Sequence, residues 1–316
     1  MRGLFGKRGL QANLKSGGLT KRGKAGHKMN KIYNGIMGLV IGDALGVPAE
    51  FKKRDTYKIT DMTGFGTHNQ PPGTWSDDSS MTLATLESLG RLKKIDLYDI
   101  MRNFCRWLYE GEFTAYGKVF DVGGTTRRAI ERYAEGGAIG ECGGREVTDN
   151  GNGALMRILP LAFVKGDYKA VCDVAGLTHR HGISIKACVL YVSAADKILR
   201  GVSFEEVLAD MCSDSWCGTV GLRDVRQLER KDIKSTGYVV DTLESALWCL
   251  YNTDSYRDCV LTAVNLGDDT DTVAAVVGGL AGLMYGCGGK RGIPNEWIRQ
   301  IPKREWIKSL CKQLEN

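Results

Sequence analysis

Apolar positions recur with helical spacing along almost the whole chain. In LYDIMRNFCRWL, residues 97–108, the residues Leu97, Ile100, Met101, Phe104 and Leu108 fall on one face at a period of about 3.6. YVVDTLESALWCLYN (238–252) and REWIKSLCKQL (304–314) repeat the pattern. VAAVVGGLAGL (273–283) is apolar all round, as expected of a helix buried on every side. Capping residues and glycines, as in DVGGTT and RGVSFEEV, punctuate these segments. No stretch alternates with period two, and no strand–helix–strand rhythm emerges. The pattern predicts an all-α fold, a single compact multi-helix domain over residues 29–316.

Glycine sharpens this picture. It accounts for 41 of 316 residues, and much of it falls on predicted helices, at Gly35, Gly38, Gly42 and Gly46 and again at Gly278, Gly279 and Gly282. At such spacing, residues without a side chain let two helix backbones approach closely. GLVIGDALGV (38–47) lacks the GxGxxG spacing of a dinucleotide-binding turn.

Hydrophobic residues make up 43% of the chain, enough for a sizeable core, and no run of about 20 apolar residues predicts a membrane partner. Ten cysteines are scattered without a CxxC pair, most inside apolar stretches, such as Cys188 and Cys249. They read as buried thiols in a reducing, cytoplasmic setting, not as a disulfide framework or a zinc site. The formal charge of +6 belongs to one end. Residues 1–28 hold eight Lys or Arg and no acid, which leaves 35 of the 43 basic residues against 37 acids in the remainder. The segment is expected to be a disordered, Gly-rich extension. An arm for nucleic acid or an anionic surface, or an organelle presequence, are the alternatives, and nucleic acid is expected as a partner only there.

Two acidic turns carry the candidate chemistry. GTWSDDSSM (73–81) sets Asp77 and Asp78 among hydroxyls at the start of an apolar helix. NLGDDTDT (265–272) does the same with Asp268, Asp269 and Asp271 beside Thr270 and Thr272. A single Asp in such a place is a helix cap. A cap needs only one acceptor, however, and two carboxylates about 4 Å apart at an effective dielectric of 20 repel by around 4 kcal/mol. Carboxylates packed near a core require a cation. Carboxylate and hydroxyl oxygens together suit Mg²⁺, Mn²⁺ or Ca²⁺ better than zinc.

In order along the chain, GLVIGDALGVPAEF, GTWSDDSSM, DVGGTTRRA, NGNGALMRILPLA, THRH, GYVVDTLESALW and NLGDDTDTVAAVVGGLAGLMYG occur. Over about residues 32–300 this series resembles the ADP-ribosylglycohydrolases, a family that includes the dinitrogenase-reductase-activating glycohydrolase and the animal ADP-ribosyl hydrolases. The resemblance implies an all-α fold with two divalent cations, Mg²⁺ or Mn²⁺, in a cleft. It implies metal ligation by Ser76, Asp77 and Asp78, where relatives often have Thr in place of Ser76, and by Asp269, Asp271 and Thr272. Asp268 stands where relatives often have Gly and is left out of the set.

The same resemblance gives Glu50 as an acidic residue near the metals, acting as acid or base or as a metal-linked switch, and Asp121 as a carboxylate near the scissile bond. Asp121 also reads as an N-cap for a helix beginning near Thr125, and Asp43 as holding a helix end. Gly123, Thr125, Gly151, Asn152 and Gly153 match loops that wrap the diphosphate and ribose. Tyr238 matches an aromatic on the adenine side and reads equally as core. His179 and His181 leave open which, if either, meets the ligand. Arg157 is expected to tie down its loop by a buried salt bridge. The implied activity is hydrolysis of the bond at C1″ of ADP-ribose on an acceptor, with Arg-linked protein as the leading substrate, free ADP-ribose as product and a monomeric enzyme. A non-catalytic ADP-ribose-binding or crystallin-like member and a metal-dependent phosphoesterase are the alternatives.

Overall fold

The structure, a computed structural model, describes residues 21–315, with side chains from Asn30 onward; the basic extension expected over residues 1–28 lies outside the residues whose side chains are described. Among the described residues thirteen α-helices run in order: α1 Lys21–Gly46, α2 Asp77–Leu92, α3 Leu97–Glu110, α4 Gly124–Ala134, α5 Tyr168–Ala175, α6 Gly182–Leu199, α7 Phe204–Ser213, α8 Ser215–Val220, α9 Val239–Tyr251, α10 Tyr256–Val264, α11 Thr270–Tyr285, α12 Asn295–Gln300 and α13 Arg304–Glu315. Short 3₁₀ turns join them, and among the described residues extended pairing is limited to isolated bridges. The all-α reading holds. The face predicted on α3 turns inward, with Ile100, Met101 and Phe104 fully buried.

The centre of the molecule is the pair α1 and α11, which pack along each other more extensively than any other two elements. α11 is buried from Thr270 through Leu283, as its all-round apolar sequence predicts. Val273, Val276, Val277 and Leu280 are fully buried, each worth roughly 1.5–3 kcal/mol of removed apolar surface. The glycines set the approach. A Cβ on Gly38 would come 3.0 Å from the Gly282 Cα, one on Gly42 would lie 2.6 Å from the Ala274 carbonyl carbon, and one on Gly46 would lie 2.5 Å from the Asp271 nitrogen. No side chain separates the two backbones along this seam.

One sequence expectation needs correction. Asn30–Ala49 is long and apolar enough to cross a membrane by length and composition, and 89% of that window is buried inside the protein. Glycines and Asp43 break up its apolar appearance in the sequence. The contacts that bury it are those of a core helix.

The seam brings three helix ends together. The C-terminal end of α1 meets the start of α11, where Thr270 Oγ1 donates to the Gly46 carbonyl at 3.0 Å. Asp43, in the last turns of α1, holds the start of α2. Its carboxylate accepts from the Ser76 and Ser79 amides at about 3.0 Å and from Ser79 Oγ at 2.5 Å. The structural role expected of Asp43 is the one it has. The free N–H ends of α2 and α11 therefore face a common point, where a helix dipole favours negative charge.

Candidate metal centre and substrate cleft

At that point the acidic turns converge. Ser76 is the N-cap of α2. Its Oγ accepts from the Asp78 amide at 3.3 Å and donates to Asp78 Oδ2 at 2.9 Å. Ser76 and Asp43 thus take the capping bonds, and Asp77 and Asp78 are left over in the first turn, both buried. In the other turn Asp271 Oδ1 accepts from the Thr272 amide at 3.0 Å, and Thr272 Oγ1 donates across to Asp78 Oδ2 at 3.4 Å. Asp269 sits at the mouth of α11, where Asn152 Nδ2 donates to its Oδ2 at 2.8 Å and to Thr242 Oγ1 at 3.0 Å.

Carboxylate oxygens of Asp43, Asp78 and Asp271 lie within 4.8 Å of one another, as do those of Glu50, Asp269 and Asp271. Burial first, and then the neighbouring carboxylates, pushes the Asp77, Asp78 and Asp271 carboxyls well above the usual range. Burial likewise raises Asp43 to about 6, against the bonds it receives from Ser79 and Ser76. Three buried carboxylate oxygens, Asp78 Oδ1, Asp269 Oδ1 and Asp271 Oδ2, have no hydrogen-bond partner. A buried acceptor without a partner costs about 1–3 kcal/mol, more when it is charged. Unpartnered oxygens from two turns, aimed into one like-charged cluster, have the hard, all-oxygen chemistry that Mg²⁺, Mn²⁺ or Ca²⁺ takes. The residues present fit such ions.

Above the cluster opens a cleft of about 250 Å³. Glu50, Asp77, Asp121, Asp269 and Thr272 line it together with Gly123, Thr125, Gly151, Asn152 and Gly153, and His179 packs against Gly151 and Gly153. No Lys or Arg lines the cleft among the described residues. Gly123 is the N-cap of α4 and Gly151 that of a 3₁₀ turn over Asn152–Arg157, so both glycine loops present helix starts.

Each predicted residue has a definite place. Asp121 is not an N-cap, since Gly123 fills that position; it has left-handed backbone (φ 52°) and a carboxyl raised chiefly by burial. Asp268 is exposed with φ 58°, a conformation that suits Gly and explains its exclusion from the ligand set. Tyr238 is 38% exposed at the start of α9, its backbone bridged to Gly151, so it is a rim residue and not core. His179 is buried, bonded to Thr178 Oγ1 at 2.9 Å, and burial pushes it down to about 3, so it is neutral. His181 caps α6 instead.

Arg157 corrects an expectation. It is fully buried but meets no carboxylate among the described residues. Its Nη2 donates to Thr178 Oγ1 at 2.8 Å and to the Val174 carbonyl at 3.2 Å, and its guanidinium lies 4.7 Å from the Phe104 ring centre. Backbone and aromatic acceptors take the place of the salt bridge, and burial lowers its basicity to about 10.

One functional residue was not read from the sequence. His68 Nε2 makes a short hydrogen bond to Glu50 Oε2, and His68, Glu50 and Asp121 form a third group with ligand atoms within 4.8 Å. Burial, opposed by the His68 bond, raises Glu50 to about 7, and that same bond raises His68.

Known proteins resemble this chain over most of its length. The ADP-ribosylglycohydrolase family model matches residues 25–316. An ADP-ribosylarginine hydrolase Tri1 of Serratia proteamaculans is 34% identical over 298 residues, covering 90% of this chain and 79% of that protein. An ADP-ribosyl-dinitrogen reductase glycohydrolase of Rhodospirillum rubrum is 31% identical over 282 residues, covering 86% and 90%. A solved structure described as an ADP-ribosylglycohydrolase-related protein complex superposes with a TM-score of 0.77 at 32% identity, covering 92% of this chain and 98% of that one. Sequence motifs, helix-end convergence and matched length agree, and the chain belongs to the ADP-ribosylglycohydrolase family, a class of hydrolases.

Proposed function

We propose that this protein removes ADP-ribose from an arginine-linked acceptor, with two Mg²⁺ or Mn²⁺ ions held by Ser76, Asp77, Asp78, Asp269, Asp271 and Thr272. The observation that carries the reading is the convergence of unpartnered oxygens from Asp78, Asp269 and Asp271 beneath a cleft walled by glycine loops. The names of the Serratia and Rhodospirillum relatives support ADP-ribosyl hydrolysis, and the first supports arginine as the acceptor. When bound, the cations would fix the 2″ and 3″ hydroxyls of the ribose and offset the negative charge around it.

The remaining work falls to the chain. With no Lys or Arg among the described residues that line the cleft, the diphosphate is received by backbone N–H groups of Gly123, Gly151 and Gly153 at helix starts, while the Asn152 N–H is taken by the Gly237 carbonyl at 3.0 Å. Thr125 steadies that wall by donating to Asp149 Oδ1 at 3.1 Å. Tyr238 offers the adenine a partly exposed ring, and neutral His179 backs the ribose without adding charge. Glu50, raised to about 7, takes a proton from water as its oxygen bonds to C1″. The C1″–N bond breaks with its electron pair left on the nitrogen, and Glu50 passes the proton it took from water to that nitrogen, so that arginine leaves as its guanidinium. Asp121, whose carboxylate lies within 4.8 Å of the ligand atoms of Glu50 and His68, stabilises positive charge on the sugar.

A panel of Arg-, Ser- and Asp/Glu-linked ADP-ribose substrates, assayed with and without EDTA, tests the proposal. Free ADP-ribose from the Arg-linked substrate, lost in EDTA, is expected. AMP would indicate the phosphoesterase, and absence of turnover the binding or crystallin-like protein.

A further inference from the structure

Between α1 and α2 lies a turn that the family motifs do not cover, GFGTHNQ, residues 64–70. Four of its residues, Gly64, Phe65, Gly66 and Asn69, have left-handed backbone, with φ between 51° and 66°. Phe65 and Asn69 are not glycines, so each carries strain of order 1 kcal/mol or more that the surroundings must hold in place. The turn is pressed onto the residues before Glu50, since a Cβ on Gly66 would lie 2.7 Å from the Pro48 Cα. Two side chains of the turn then reach Glu50 itself. Thr67 Oγ1 donates to its carbonyl at 2.7 Å, and His68 Nε2 bonds to its carboxylate. The imidazole is fixed in turn by rings on two sides, with the Phe120 centre at 5.3 Å and the Phe51 centre at 6.0 Å.

We infer that His68 is a positioning residue, which holds the Glu50 carboxylate in the orientation that serves C1″. This rests on the reading of Glu50 as the carboxylate that accepts the proton. That the Glu50 carboxylate is held by His68 stands on the geometry alone. A Glu side chain has three rotatable bonds, and Glu50 stands among carboxylates that repel it from Asp121, Asp269 and Asp271. His68 is its one side-chain hydrogen-bond partner among the described residues. Without that bond the carboxylate is free to swing, and a misplacement of about 1 Å costs on the order of a hundredfold in rate.

The test is a double-mutant cycle with ADP-ribosylarginine as substrate. His68→Phe keeps an aromatic ring between Phe51 and Phe120 and deletes the donor; His68→Gln restores an N–H at the position of Nε2. The expected result is a fall in kcat of about 10- to 100-fold for His68→Phe, with KM within about twofold. His68→Gln should recover most of the loss, and His68→Phe should have no further effect once Glu50 is Gln. An unchanged kcat in His68→Phe would overturn the inference, as would equal losses in the Phe and Gln variants, or an undiminished loss in the Glu50→Gln background. Full activity in Glu50→Gln alone would instead remove the assignment of Glu50 while leaving the metal centre standing.

Discussion

Replacing Asp271 with asparagine is expected to stabilise the metal-free protein and to abolish its hydrolysis. The carboxylate is 1% exposed, and oxygens of Asp43, Asp78 and Asp271 lie within 4.8 Å of one another. At that separation and an effective dielectric of 20, each ionised pair repels by roughly 3–4 kcal/mol. Protonation relieves part of this in the free protein, because burial and the neighbouring acids hold these carboxyls well above their usual range. A net gain of about 1–3 kcal/mol remains, equivalent to roughly 2–6 °C in Tm. Asparagine keeps the Oδ1 that accepts from the Thr272 amide and replaces the unpartnered Oδ2 with a donor facing carboxylates. The assay is thermal unfolding of wild type and variant, in EDTA and in excess Mg²⁺ or Mn²⁺. Wild type should gain about 2.7 kcal/mol at a cation concentration a hundredfold above Kd, and the variant should gain little. A lower Tm for the variant in EDTA, or an undiminished cation response, would refute the reasoning.

Other outcomes follow from the same groups. In EDTA, stability should fall as pH rises. The folded state holds the Glu50 proton to about 7 and the Asp43 proton to about 6, above the ordinary 4.5 and 3.8. The stabilisation is therefore complete below about pH 4 and lost on passing the folded values, at most about 3 kcal/mol from Glu50. Urea midpoints between about pH 5 and 8 will show the decline, and saturating Mg²⁺ should flatten it. Gly42→Ala, which forces a methyl against the Ala274 carbonyl carbon, should cost about 1–3 kcal/mol or more in chemical denaturation. Asn152→Ala should weaken cation binding measured by calorimetry, since it removes the donor that bridges Asp269 Oδ2 and Thr242 Oγ1. His181→Ala should cost only about 1 kcal/mol of capping and leave kcat unchanged, in contrast to His179, which lines the cleft.

Much of this was legible in the sequence because its signals are local. The period of α3, the all-round apolarity of α11 and the caps at the helix starts each follow from neighbours in the chain. The glycines of α1 and α11 announced a close approach, although not that it would be Gly46 against Asp271. The surplus aspartates beyond the Ser76 cap were legible for the same reason. His68 was not, because it is a lone histidine with no spacing partner, and its role depends on a turn folded back on residues 18 positions earlier. The density of Gly and Asn in GFGTHNQ was the available signal. Arg157 was misread because an isolated buried guanidinium suggests a carboxylate, whereas here carbonyls and the Phe104 ring supply the negative charge.

The seam between α1 and α11 behaves as a gauge block. Side-chain packing elsewhere in the core can drift through compensating substitutions, because methyl groups rearrange. Backbone resting on backbone at Gly38, Gly42 and Gly46 offers nothing to rearrange. The span from Glu50 to Asp271 is thereby insulated from ordinary drift in the hydrophobic interior. The corollary concerns redesign. Refitting this centre to an ion of another radius will not succeed by repacking the core, because the loops that meet the helix ends also rest backbone on backbone, Gly66 against Pro48 and Gly267 against Arg54.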